Sequence, residues 1–132
     1  MDRYAINELV RWKNARRRKP LIIEGARQVG KTWLVKDFAC KHYDNIAYIN
    51  FEEQIYLRNL FETDFDVTRI ISAIGAAAHQ NCMPGKTLIF LDEIQEAPNG
   101  VTALKYFYEN ASDYHIIAAG SLLGLELHRQ AS

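Results

Sequence analysis

The chain has 132 residues, of which 48% are apolar and 24% charged, with only 7 glycines and 3 prolines. That balance excludes a disordered, collagenous or low-complexity protein, and a chain of this length buries roughly 68% of its extended surface on folding, enough for one proper core. Sixteen basic residues offset sixteen acidic ones, so no global field draws the protein toward nucleic acid or an anionic membrane. Uninterrupted apolar runs such as residues 73–78 and 88–91 fall far short of the about 20 residues that cross a bilayer. The opening Met1-Asp2-Arg3-Tyr4 lacks a secretory layout, and Cys40 and Cys82 suit a reducing compartment better than a disulfide framework. A cytoplasmic location is expected.

Residues 4–15 place Ile6, Leu9 and Val10 on one face of a leading helix, and Pro20 forces the chain out of helix. Around that boundary lie Arg11, Lys13, Arg16, Arg17, Arg18 and Lys19. This basic segment has two readings: a solvated helix end whose cations favour the negative end of the helix dipole, or a patch that meets the phosphates of DNA. Leu21-Ile22-Ile23 is a short apolar strand running into Glu24-Gly25, and a helical pattern from Lys31 to about His42 follows. Residues 46–51 are β-rich, residues 52–64 carry Leu57, Leu60 and Phe61 at the spacing of a short helix, and residues 66–79 repeat apolar positions at helical spacing. After the turn signal Pro84-Gly85, residues 87–91 form an apolar run closed by Asp92-Glu93, as expected of a strand buried on both faces. A helix over about 101–110 and a strand over 115–119 ending in Gly120-Ser121 complete the pattern. Strands alternating with helices predict an α/β fold in three layers, a mainly parallel sheet covered on both faces. No linker or internal repeat divides it, so residues 1–132 are expected to form one domain, with 1–19 as the leading helix and basic segment.

Gly25-Ala26-Arg27-Gln28-Val29-Gly30-Lys31-Thr32 matches the Walker A pattern without a break. Glycines let successive backbone N–H groups and a helix N-terminus point at phosphates, Lys31 adds a point charge at the outer phosphates, and Thr32 offers an oxygen to magnesium. The strand before and the helix after are the setting this motif requires. Asp92 and Glu93 end an apolar strand, and ligands of an open parallel sheet bind at that end of its strands. Asp92 would hold Mg2+, directly or through water, while Glu93 would orient and deprotonate the attacking water. Ser121, just past the last strand, is placed to touch the outer phosphate or that water, though Gly120-Ser121 is also an ordinary strand-ending turn. His42, His79, His115 and His128 are scattered without metal-ligand spacing. Trp33 reads as core rather than adenine platform, and Cys40 and Cys82 as inert helix residues.

The loop Gly25–Thr32, Leu88-Ile89-Phe90-Leu91-Asp92-Glu93-Ile94-Gln95 and Gly120-Ser121-Leu122-Leu123 together resemble the AAA-type ATPases of bacteria and archaea whose C-terminal half is a domain of unknown function. The resemblance implies ATP and Mg2+ as ligands, Lys31 and Thr32 as their contacts, Asp92 and Glu93 as the Walker B pair, and Ser121 in the first sensor place. It also implies a strand order 5-1-4-3-2, an arginine finger, a lid and a nuclease-like tail, none visible after Leu127. The sequence is therefore expected to be the amino-terminal piece of a larger ATPase with the fifth core strand missing, and without an arginine finger its hydrolysis of ATP on its own is expected to be very slow. The strand at Leu21 would then lie at a sheet edge open to self-association, unless Leu122, Leu123, Leu125 and Leu127 fold back over it. Two other readings stay open: a nucleotide-gated DNA- or protein-binding module with negligible turnover, and a small-molecule kinase.

Overall fold

The computed structural model describes residues 3–25 and 29–121. The chain runs α1 (Arg3–Lys13), β1 (Leu21–Gly25), α2 (Val29–His42), β2 (Asn45–Asn50), α3 (Val67–Ala78), β3 (Thr87–Asp92), α4 (Gly100–Asn110) and β4 (His115–Ser121), with 3₁₀ turns at Ile55–Leu57 and Ile94–Glu96. The four described strands are all parallel, in the order β1-β4-β3-β2. That order matches the expected 1-4-3-2, with β1 at one edge and β2 at the other. The leucines 122, 123, 125 and 127 lie outside the described residues.

The period of two along a strand divides the core into two layers. Leu88 and Phe90 of β3, with Ile117 and Ala119 of β4, pack against Leu9 of α1 and Val35, Phe38 and Ala39 of α2. Ile89 and Leu91, with Ile116 and Ala118, face Ile70 and Ile74 of α3 and Ala103, Leu104 and Phe107 of α4. Every residue of β3 is buried, the condition of a central strand in a sheet covered on both sides. Asp92 continues the Leu88 and Phe90 side, which turns it toward the layer that α2 occupies.

Helix ends follow local chemistry. Asp66 caps α3 by accepting from the backbone N–H groups of Thr68 and Arg69, and His79 closes it at φ 57°, satisfying groups a helix end leaves orphaned. α1 stops at Lys13, before the expected residue 15, so Arg16, Arg17, Arg18 and Lys19 lie on the connection to β1.

Three expectations are corrected. Residues 52–64 are not a helix: a single 3₁₀ turn, Ile55–Leu57, gives way to hydrogen-bonded turns. The guanidinium of Arg58 donates to the carbonyls of Phe51 and Glu52 at 2.7 and 3.0 Å, and Arg69 donates to that of Leu60 at 2.9 Å. Those acceptors are lost to a helical ladder, yet Leu57, Leu60 and Phe61 are buried as their spacing foretold. Trp33 is 52% exposed, because the core face of α2 is formed by Val35, Phe38 and Ala39. Cys82 lies beyond α3 on the approach to the Pro84-Gly85 turn, where burial pushes its thiol pKa up.

Candidate functional site

α2 begins at Val29, two residues earlier than the apolar spacing indicates. Gly30, Lys31 and Thr32 therefore occupy its first turn, where backbone N–H groups have no intrahelical acceptor. Among the described residues, a Cβ built on Gly30 meets no heavy atom within 4 Å, so their packing does not require glycine there. Lys31 Nζ donates to the carbonyl oxygen of Glu24 at 2.7 Å, tying the start of α2 to the end of β1. Ala26, Arg27 and Gln28 lie outside the described residues.

Across the crevice, Thr32 Oγ1 donates to Asp92 Oδ2 at 3.0 Å, a contact between residues 60 apart in sequence. Asp92 and Glu93 are only 7% and 8% exposed, and buried carboxylates of this kind require partners. Asp92 has three: Thr32, the hydroxyl of Tyr48 donating to the same Oδ2 at 2.7 Å, and the backbone N–H of Glu93 donating to Oδ1 at 3.0 Å. Tyr48 stands on β2 opposite Phe90, two residues before Asn50, which pairs with Asp92. Its ring carries Lys36 Nζ at 4.0 Å from the centroid. Burial, and then the bond to Asp92, raise the Tyr48 pKa, so the phenol stays protonated as a donor.

β3 ends on a sharp change of direction. Glu93 has φ 54° and ψ 47°, a left-handed conformation uncommon for a side chain of this size. Gln95 Nε2 donates to Glu93 Oε2 at 2.6 Å. Ser121 is the last residue of β4, not one past it, and is in register with Gly25 at the end of β1. The ends of β1, β3 and β4 thus gather Lys31, Thr32, Asp92, Glu93 and Ser121 on the side of the sheet where ligands of parallel α/β folds bind.

Tyr48 and Gln95 were not singled out from the sequence. Tyr48 carried a signal: in the expected strand order its strand neighbours the one ending in Asp92, and it lies on the same side. Gln95 had none, since contact with Glu93 depends on the turn between them.

The basic segment lies at the opposite end of the sheet, and most of it is engaged within the chain. Arg11 pairs with Glu8 at 2.8 Å, and Arg18 donates to the carbonyls of Lys13 and Ser112 at 3.2 and 3.0 Å. Lys13 and Lys19 sit over the rings of Tyr43 and Tyr108 at 5.0 and 5.4 Å. Arg16 and Arg17 line a cavity of about 380 Å³ with Arg18, Tyr108, Glu109 and Ser112.

A parallel sheet of this order, with the Gly25–Thr32 motif between β1 and α2 and a buried Asp-Glu pair at the end of β3, fits an ATPase-like nucleotide-binding module. The model of a family described as AAA domain matches residues 17–132, and the chain belongs to that family. No curated protein matches the chain. Among the described residues, no helix is long and apolar enough to cross a membrane.

Proposed function

We propose that the chain binds ATP with Mg2+ at Gly25–Thr32 and hydrolyses its outer phosphoanhydride bond. The observation that carries this reading is the 3.0 Å contact between Thr32 Oγ1 and Asp92 Oδ2: two hard oxygen donors from separate elements meet beside the first turn of α2. Their chemistry fits Mg2+, which is bound through one or two protein oxygens with phosphates and water completing its shell. Open space beside Gly30 fits the close approach of a phosphate chain to the backbone. When bound, Mg2+ supplies compensation for the charge that develops on the transferring group.

In this reading Lys31 exchanges its bond to the Glu24 carbonyl for the outer phosphates. Tyr48 holds Asp92 in one orientation. Glu93 accepts a proton from the attacking water as the new P–O bond forms, and the electron pair of the breaking bond leaves with ADP. Ser121, at the end of the neighbouring strand, contacts the outer phosphate or the water.

Nucleotide present at 100 times its dissociation constant should add about 2.7 kcal/mol of stability, a rise of several degrees in melting temperature for a domain of this size. The rise should be larger with Mg2+ than with chelator. Glu93→Gln should keep it while lowering turnover by about 100-fold or more. Absence of any shift at millimolar MgATP would refute nucleotide binding; a shift with turnover insensitive to Glu93→Gln would refute the role of Glu93.

A further inference from the structure

We infer that Gln95 is a positioning residue for Glu93, fixing the rotation of its carboxylate; the inference rests on the hydrolytic reading above. Gln95 Nε2 donates to Glu93 Oε2 at 2.6 Å, a bond to a carboxylate oxygen, which is stronger than one between neutral groups. The contact sets which end of the amide faces Glu93, since turning it over would bring two oxygens together. Among the described residues, Gln95 Oε1 is buried with no hydrogen-bond partner. Native proteins rarely tolerate such an orphan acceptor, so this side chain is held by Glu93 at the expense of its own satisfaction. A residue serving only to fill space would have no such arrangement, because an apolar side chain of equal length would fill it without the orphan.

The platform under Gln95 is rigid. The backbone N–H of Glu96 donates to Glu93 O at 3.0 Å and that of Ala97 to Ile94 O at 3.1 Å. Ile94 is fully buried, and Gly100 packs so closely on it that a Cβ would lie 2.9 Å from Ile94 O. On the outer side Glu96 pairs with Arg58 at 3.7 Å. Glu93 is fixed at its backbone by its left-handed conformation and its bond to Asp92, and Gln95 holds one oxygen of its carboxylate.

The test is Gln95→Met, which keeps length and removes both the donor and the orphan acceptor. Nucleotide affinity should stay unchanged and kcat should fall by at least about tenfold, while Tm holds or rises because no buried acceptor is left unpaired. Added to Glu93→Gln, the same substitution should slow turnover no further, since Gln95 acts only through Glu93. Wild-type kcat in Gln95→Met overturns the inference, as does an equal loss in the Glu93→Gln background. A drop in Tm shared by Gln95→Met and Gln95→Glu would make the role structural and overturn it too. If the wild-type chain binds nucleotide but never hydrolyses it, the hydrolytic reading falls and takes this one with it; if it hydrolyses and Gln95→Met is silent, only this one falls.

Discussion

The two ends of the sheet treat buried polar groups in opposite ways. At the N-terminal end, His115 is 7% exposed and the chain supplies its surroundings: the Tyr43 hydroxyl lies 2.6 Å from Nδ1, and the ring of Trp12 meets the imidazole edge-on at 6.0 Å. Arg18 is spent there on the carbonyls of Lys13 and Ser112. At the C-terminal end two carboxylates are buried as deeply and Glu93 has a left-handed backbone, while among the described residues space is open beside Gly30 and Gln95 Oε1 has no partner. A polar cluster that completes itself gives a fold its uniqueness. One that stops short of completion keeps strain and an unmet acceptor.

Breaking the incomplete end should have the largest effect. Lys31→Ala should erase the stabilisation of about 2.7 kcal/mol that saturating nucleotide provides and reduce turnover by about 10²–10³-fold. Without nucleotide, its melting temperature should match wild type, since a half-exposed side chain is lost. Calorimetry with and without MgATP reads both. Loss of the apo fold would mean that the bond from Lys31 to Glu24 O is structural and that the contrast between the ends is false.

Most of the fold was legible because it rests on periodicity. Runs such as Leu88-Ile89-Phe90-Leu91 and the spacing of Ile70, Ile71 and Ile74 are local signals, and the strand order followed from the resemblance the loop motif suggested. The site was legible where a backbone requirement forces residue types into fixed spacing, as from Gly25 to Thr32. Illegible parts depend on contacts across elements. Tyr48 reaches Asp92 only because β2 and β3 pair in one register. Tyr43 meets His115 across 72 residues, and neither side chain belongs to a motif. Residues 52–64 misled because core spacing and helical spacing coincide there, while two arginines took the backbone carbonyls a helix would use.

Acid should act on stability to a comparable extent, and at the complete end. Burial, followed by the cations of Arg18 and Lys13, lowers the His115 pKa from 6.5 to about 4. Above pH 6.5 the imidazole is neutral in both the folded and unfolded chain and pH has no effect through it. Between about 6.5 and 4 the unfolded chain binds a proton that the folded one refuses, so stability falls as pH falls and the loss levels off below the folded value. The full loss is on the order of 3 kcal/mol. His115→Gln keeps a hydrogen-bonding group for Tyr43 but cannot titrate, so the difference in melting temperature between it and wild type should change across this window and stay flat above it. A difference independent of pH would show that His115 does not carry the acid sensitivity.

The smallest effects come from a matched pair that removes one hydroxyl from each end. Tyr43→Phe leaves Nδ1 of a buried imidazole without its partner, and an unpaired buried polar group costs about 1–3 kcal/mol. Nothing in that cluster faces the loop, so the loss should be the same with and without MgATP. In Tyr48→Phe, Asp92 Oδ2 keeps Thr32 and Oδ1 keeps the Glu93 N–H, so apo stability should fall by no more than about 1 kcal/mol. The carboxylate would then be held from one side only, and the Mg2+-dependent part of the nucleotide shift should shrink. Two melting curves for each variant, with and without MgATP, separate the outcomes. Equal apo losses with both nucleotide shifts intact would show Tyr48 to be a structural donor like Tyr43, and the two ends of the sheet would differ in their burial pattern without differing in what that burial is for.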